Sequence, residues 1–129
     1  MEQSILNSTK KVLGISDDDP SFDLDIMTHT NSAFSTLTDI GVGPEEGFAI
    51  EDEDAEWEDF LSDDVVKLSK VKTYVYLKVR MLFDPPASSY VLDSLQRQLT
   101  EQEWRLSVNR EATGWANPNP PPQNSELST

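Results

Sequence analysis

Residues 65–83 read VVKLSKVKTYVYLKVRMLF, and this stretch decides the fold. Leu68, Val71, Val75, Val79 and Leu82 recur at helical spacing and form a stripe along one side of an α-helix. Tyr74, Leu77 and Met81 make a second stripe, and Val65, Tyr76 and Phe83 a third. Asp63 and Asp64 supply an N-terminal start, so the helix is expected over about 63–83. A helix that is apolar nearly all round must be wrapped by neighbours. Two readings follow: it is the central core helix of the subunit, or part of its surface meets a second copy of the chain. The segment also carries Lys67, Lys70, Lys72, Lys78 and Arg80, and these charges exclude a membrane span.

Downstream, Asp84-Pro85-Pro86 breaks the helix by removing donors and forcing Asp84 out of the helical region. Ser88 or Ser89 then starts another helix, to about Val108. Its buried face is Val91, Leu92, Leu95, Leu99 and Leu106, with Tyr90, Arg97, Trp104 and Val108 opposite. Two helices joined by a tight break pack as an antiparallel hairpin. From Asn109 the composition turns proline-rich and poor in apolar residues, so residues 111–129 are expected to be a disordered tail after a domain of residues 1–110.

Upstream, Ile5, Leu6, Val12 and Leu13 define a short helix stopped by Gly14. Asp19 can cap, and Pro20 can open, a second helix over about 20–40 whose buried face is Phe22, Ile26, Ala33, Leu37 and Ile40. Gly41-Val42-Gly43-Pro44 ends it. Phe48 and Ile50 alternate in a short extended segment or hydrophobic plug. Trp57, Phe60 and Leu61 then imply one or two helical turns inside the acid-rich run 51–64. The fold class expected is all-α: a small bundle of about four helices with one short extended segment and a flexible C-terminal arm.

Composition narrows the function. The 129 residues hold no cysteine and a single histidine, excluding disulfides, thiolate zinc and multi-histidine metal sites. The formal charge is −14, which disfavours gripping nucleic acid or an anionic membrane. Residues 1–64 carry 18 acids and two bases, whereas residues 65–129 carry six acids and eight bases. Calcium loops starting at Asp17 or Asp52 lack the turn glycine, having Phe22 and Trp57 at that position, so both read as solvated acidic faces. His29 lies on the side of Ile26 and Ala33 with no nucleophile elbow anywhere in the chain, and reads as structural. Neither a cofactor nor enzymatic activity is expected. The N-terminal MEQSILNSTKKVLG has no apolar run of signal-peptide length, so no signal peptide is expected and the chain reads as made in the cytosol. The bases on one side of 65–83, Lys67, Lys70 and Lys78, either neutralise the acidic stretch internally or meet the acidic face of another protomer, a heterologous contact that can close into a ring.

Over residues 3–110 the sequence resembles the head-to-tail adaptor (connector, or head completion) proteins of long-tailed bacteriophages. The resemblance is carried by Ser4-Ile5-Leu6-Asn7 with Lys10-Lys11-Val12-Leu13-Gly14, by Ser21-Phe22-Asp23, and by Ile40-Gly41-Val42-Gly43-Pro44. It continues in Gly47-Phe48-Ala49-Ile50, Trp57-Glu58-Asp59-Phe60-Leu61 and Val71-Lys72-Thr73-Tyr74-Val75-Tyr76-Leu77-Lys78-Val79-Arg80 leading to Phe83-Asp84-Pro85-Pro86. It closes on Glu103-Trp104-Arg105-Leu106. It implies a virion neck protein that assembles as a ring, usually of twelve, beneath the portal protein. Such a ring extends the DNA channel and offers a platform to the next neck or tail-completion protein. DNA passes through without sequence-specific binding. No catalytic residue is implied.

In that setting the candidate subunit interface is Lys67, Lys70, Tyr74, Leu77, Lys78, Met81, Tyr90 and Trp104. The candidate channel lining is Glu51, Asp52, Glu53 and Asp54, whose charge repels phosphate. The candidate portal-binding arm holds Arg110, Trp115, Pro118 and Pro120. The alternative from charge alone is an acidic DNA-mimic inhibitor of a DNA-binding enzyme; presence in purified virions separates the two.

Overall fold

The computed structural model describes residues 4–114, with side chains described through Val108. Five helices follow in order: α1 Ile5–Val12, α2 Asp23–Asp39, α3 Trp57–Phe60, α4 Val65–Phe83 and α5 Ser89–Gly114. Together they make a small all-α bundle with α4 at its centre. α2 packs along one side of α4 and α5 along another, while α1 lies across both α2 and α4. The Phe22 ring meets Phe83 edge-on at 5.4 Å, so the start of α2 sits beside the end of α4. Across the α4–α5 hairpin, Tyr74 reaches Glu103.

Local chemistry sets most boundaries. Ser4 accepts the Asn7 N–H at the start of α1, and Asp64 accepts the Lys67 N–H at the start of α4. Glu56 donates its N–H to the Asp59 carboxylate at the single turn α3, a reach-back typical of a capping box. Two starts and ends differ from expectation. α2 begins at Asp23, three residues after Pro20, because the Asp19 carboxylate takes the Ser21 N–H and the Pro20 carbonyl takes that of Asp23, closing turns instead. α5 runs through Asn109 to Gly114, past both Val108 and the Arg110 boundary, since Arg, Glu and Ala at 110–112 all favour helix.

The core holds Ile5, Leu6, Ile26, Phe34, Leu37, Trp57, Phe60, Val71, Tyr74, Val75, Val79, Leu99 and Leu106. The segment between α2 and α4 folds over it as an aromatic plug. Phe34 sits 4.9 Å from Phe48 and 4.7 Å from Phe60, and Trp57 meets Tyr76 edge-on at 5.6 Å. The plug has no strand. Instead the Asn31 side chain pins Ile50 from both directions, accepting its N–H at 2.7 Å and donating to its carbonyl at 3.0 Å. The amide thus satisfies backbone groups that a sheet partner would otherwise serve.

Most of α4 is covered by the subunit itself: Leu68, Val71, Tyr74, Val75 and Val79 are buried, and Tyr76 and Phe83 half-buried. The residue of apolar exposure lies at its ends, in Val65, Val66 and Leu82.

Candidate interaction surfaces

The first surface is the seam between α4 and α5. Lys70 is exposed and Lys67, one turn before it, half-buried. Between the two helices runs a groove of about 240 Å³ lined by Ser69, Lys70, Thr73, Gln102, Arg105 and Leu106. Arg105 donates to Glu101 at 2.8 Å, an exposed pair one helical turn apart that binds weakly. Further along, the Tyr74 hydroxyl donates to Glu103 at 2.7 Å, and Lys78 stands 4.0 Å from the same carboxylate. Burial first, and then the Glu103 carboxylate, push the Tyr74 phenol far above the usual tyrosine range. Tyr74 has no exposed surface at all, so its side chain serves the α4–α5 packing of its own subunit. Leu77 and Met81 are half-buried against the core.

The second surface is the outer face of α5. Tyr90, Arg97 and Trp104 follow at seven-residue intervals, with Tyr90 78% and Trp104 65% exposed. A shallow depression beside Trp104 is bounded by Asp93, Gln96, Arg97, Thr100 and Glu101. Val91, placed on the buried face by periodicity, is also exposed. The third surface is the acidic bend Glu51–Asp54, all four residues exposed and shaped by the Asp54 N–H donating to Asp52.

The residue that sequence reasoning missed is Lys10. It is 1% exposed, and its Nζ donates to the carbonyls of Asp17 at 3.2 Å and Asp19 at 2.7 Å and meets Asp23 Oδ1 at 2.8 Å. Three ammonium donors thus face three oxygens. The loop screened for calcium is organised by a lysine from within the chain. The available signal was a lysine four residues after the buried Leu6 on a short helix, directly before an aspartate run. Asp19 itself is held below the ordinary carboxylate range by its bonds from Ser21. His29 is half-buried on α2. Arg110 lies within α5 with its side chain outside the described set; Trp115, Pro118 and Pro120 lie outside the described residues.

Comparison with known proteins supplies the family to which these surfaces belong. The profile of the phage connector protein family matches residues 5–113, from the first residue of α1 almost to the end of α5. The chain belongs to the phage connector protein family. No curated protein and no solved structure matches it. As a phage connector it is a structural protein that associates with head or tail components of the particle. None of the connector's helices, among the described residues, is long and apolar enough to cross a membrane. The motif pieces that carry the resemblance fall at its joints: Gly14 and Gly41 at helix ends, Trp57 and Phe60 in the plug, and Asp84-Pro85-Pro86 at the hairpin.

Proposed function

We propose that this connector is the ring-forming adaptor that docks on the portal, extends the DNA channel and links the capsid vertex to the tail. The observation that carries the reading is the unpartnered outer face of α5. Tyrosine, arginine and tryptophan are the residue types that dominate protein interfaces, and here they line one exposed stripe of a 26-residue helix. On α4, Lys67, Lys70, Leu77, Lys78 and Met81 are assigned to the same proposed interface. Tyr74 supports it from inside by tying α4 to α5. The proposed neighbour-to-neighbour contact is heterologous, which closes into a ring when the rotation permits.

Glu51, Asp52, Glu53 and Asp54 line the channel in this reading. A wall of exposed carboxylates repels phosphate, so DNA slides without adhering. The residues that follow α5, with Trp115, Pro118 and Pro120, form in this reading an arm that engages the portal. A proline-rich arm repeated around a ring gains from multivalency. A DNA mimic would need its carboxylates spread over a rigid face, whereas these four sit on one bend.

The test is to quantify the chain in purified particles and to repeat it with Trp104→Ala. Presence at the neck is expected for the wild type. Truncating an interface tryptophan costs about 2 kcal/mol per contact, roughly a thirtyfold loss of affinity, so the variant should be strongly depleted. Absence of the wild-type chain from particles refutes the reading, and undiminished Trp104→Ala removes α5 from the interface.

A further inference from the structure

We infer that the groove between α4 and α5 receives, from a second copy of the chain, the loop end built by Asp17, Asp18, Phe22, Leu24 and Asp25. The inference rests on the ring reading and names the contact that would join one subunit to the next.

The groove has a definite chemistry. Lys70 and Arg105 stand at its walls, Ser69 and Thr73 add hydroxyls, and Leu106 gives an apolar floor. No described residue pairs with the Lys70 ammonium, and the Arg105–Glu101 pair is exposed and readily exchanged. The Gln102 Oε1 is buried and accepts no hydrogen bond from the described residues. A side chain or backbone amide entering the groove would supply the missing donor. The fitting occupant therefore carries carboxylates beside apolar side chains on a polypeptide backbone.

The loop end before and into α2 has that composition. Between Ser16 and Asp25 there are five aspartates and no base. Leu24 is 74% exposed and Phe22 is exposed with its edge against Phe83, two large apolar groups held outward among acids. They are held there rigidly. Lys10 ties the carbonyls of Asp17 and Asp19 and the carboxylate of Asp23 to α1, and Ser21 bonds to Asp19. A pre-organised knob loses little conformational freedom on docking.

Geometry makes the contact intermolecular. The knob lies beside Phe83 at the end of α4, whereas the groove surrounds residues 69–73. Ten or more residues of helix at 1.5 Å each separate them by about 18 Å, so a subunit cannot fill its own groove. Charge makes it head-to-tail. With a net −14, two copies meeting acid to acid repel, while knob to groove pairs opposite signs. The joined pair then still offers one free knob and one free groove, as a growing ring must.

The experiment supplies the chain in trans to phage lacking it and counts copies per purified particle. Lys70→Glu with Arg105→Glu, or Asp17→Lys with Asp18→Lys and Asp25→Lys, should each lower incorporation at least tenfold. All five reversals in one chain should restore it, because each reversed knob then meets a reversed groove. All the altered side chains are exposed, and circular dichroism of each variant confirms that it folds. Since the chain has no cysteine, Leu24→Cys with Thr73→Cys provides a second reading: oxidised particles should yield a ladder of cross-linked multimers. Wild-type incorporation of either reversal set overturns the contact while leaving the ring intact. So does failure of the combined chain to recover, which assigns the groove to another anion such as DNA phosphate. Absence of the wild type from particles instead removes the ring reading itself.

Discussion

Replacing Lys10 with methionine removes the ammonium while keeping nearly the same volume, so the cost is electrostatic rather than a cavity. Three interactions disappear: the bonds to the Asp17 and Asp19 carbonyls and the 2.8 Å pair with Asp23. Hydrogen bonds from a charged group contribute about 1.5–3 kcal/mol each, and breaking a buried pair from one side costs about 3–5 kcal/mol. Two effects offset this. The burial cost of the ammonium is relieved, and the Asp23 carboxylate, 28% exposed, regains water. The balance is a loss of about 3 kcal/mol. For a domain of this size that corresponds to a fall in Tm of about 10–15 °C. Urea unfolding followed by circular dichroism should show a lower midpoint with an unchanged slope, because the surface exposed on unfolding is the same. Asp23→Asn should be milder, and the double variant should cost less than the sum, since the two residues share one interaction. A Lys10→Met loss below about 1 kcal/mol, or strict additivity with Asp23→Asn, would refute the view that this lysine organises the α1–α2 loop.

Three further outcomes are expected. The Tyr74 phenol is raised in the folded state, so its contribution is complete below about pH 10, where unfolded tyrosine titrates, and is lost as pH rises beyond. Alkaline denaturation of Tyr74→Phe should therefore show a pH slope shallower by one proton, and an unchanged slope contradicts the assignment. Gly43 adopts φ +87°, and a Cβ there would run into the Phe60 ring, so Gly43→Ala should cost about 3 kcal/mol by chemical denaturation. Gly47→Ala, at φ +96° but facing open space, should cost only about 1 kcal/mol; equal losses would show that the ring contact is unimportant. Asn31→Ala removes both bonds to Ile50 and should destabilise by about 2 kcal/mol, with the amide hydrogen of Ile50 exchanging faster; unaltered exchange counts against the pin.

The hairpin of α4 and α5 was legible in sequence because both helices obey a single local rule, apolar spacing, and because consecutive prolines stop one before the other begins. The turn around Trp57 was legible for the same reason. Contacts between distant residues were not. The start of α2 moved because Asp19 and Pro20 close turns on their own backbone while Lys10, nine residues before Asp19, draws its carbonyl inward. A helical wheel also gives direction but not coverage. It put Tyr74 on a second stripe, yet α5 covers that stripe through Glu103, and it put Leu82 and Val91 on buried stripes that neighbours do not reach. Of the candidate interface residues, Lys70, Tyr90 and Trp104 are exposed. The plug at Phe48 and Ile50 was placed by its apolar pair, while its partner Asn31 lies 19 residues earlier and carries no local signal.

The uneven charge of the chain gains a physical meaning from where its few cations go. Lys10 is spent inside the acidic half, holding the loop that carries Asp17 and Asp18. Lys78 lies close to Glu103, Arg105 pairs with Glu101, and Lys72 lies 5.9 Å over the Trp57 ring. Internal neutralisation is therefore real: these contacts lie within α4 and α5, at the α1–α2 loop, and between α4 and the Trp57 turn. Among the described residues no ion pair joins the exposed acids of 51–54 to the exposed bases of α4. A chain selected only for its own stability could have set those two groups against each other. Keeping them apart leaves the acids of 51–54 available for the proposed channel wall and Lys70 available for the proposed contact with the aspartates of a second copy. Such a contact weakens as salt screens it, so the proposed assembly should loosen between low and physiological ionic strength while the fold, held by its apolar core, does not.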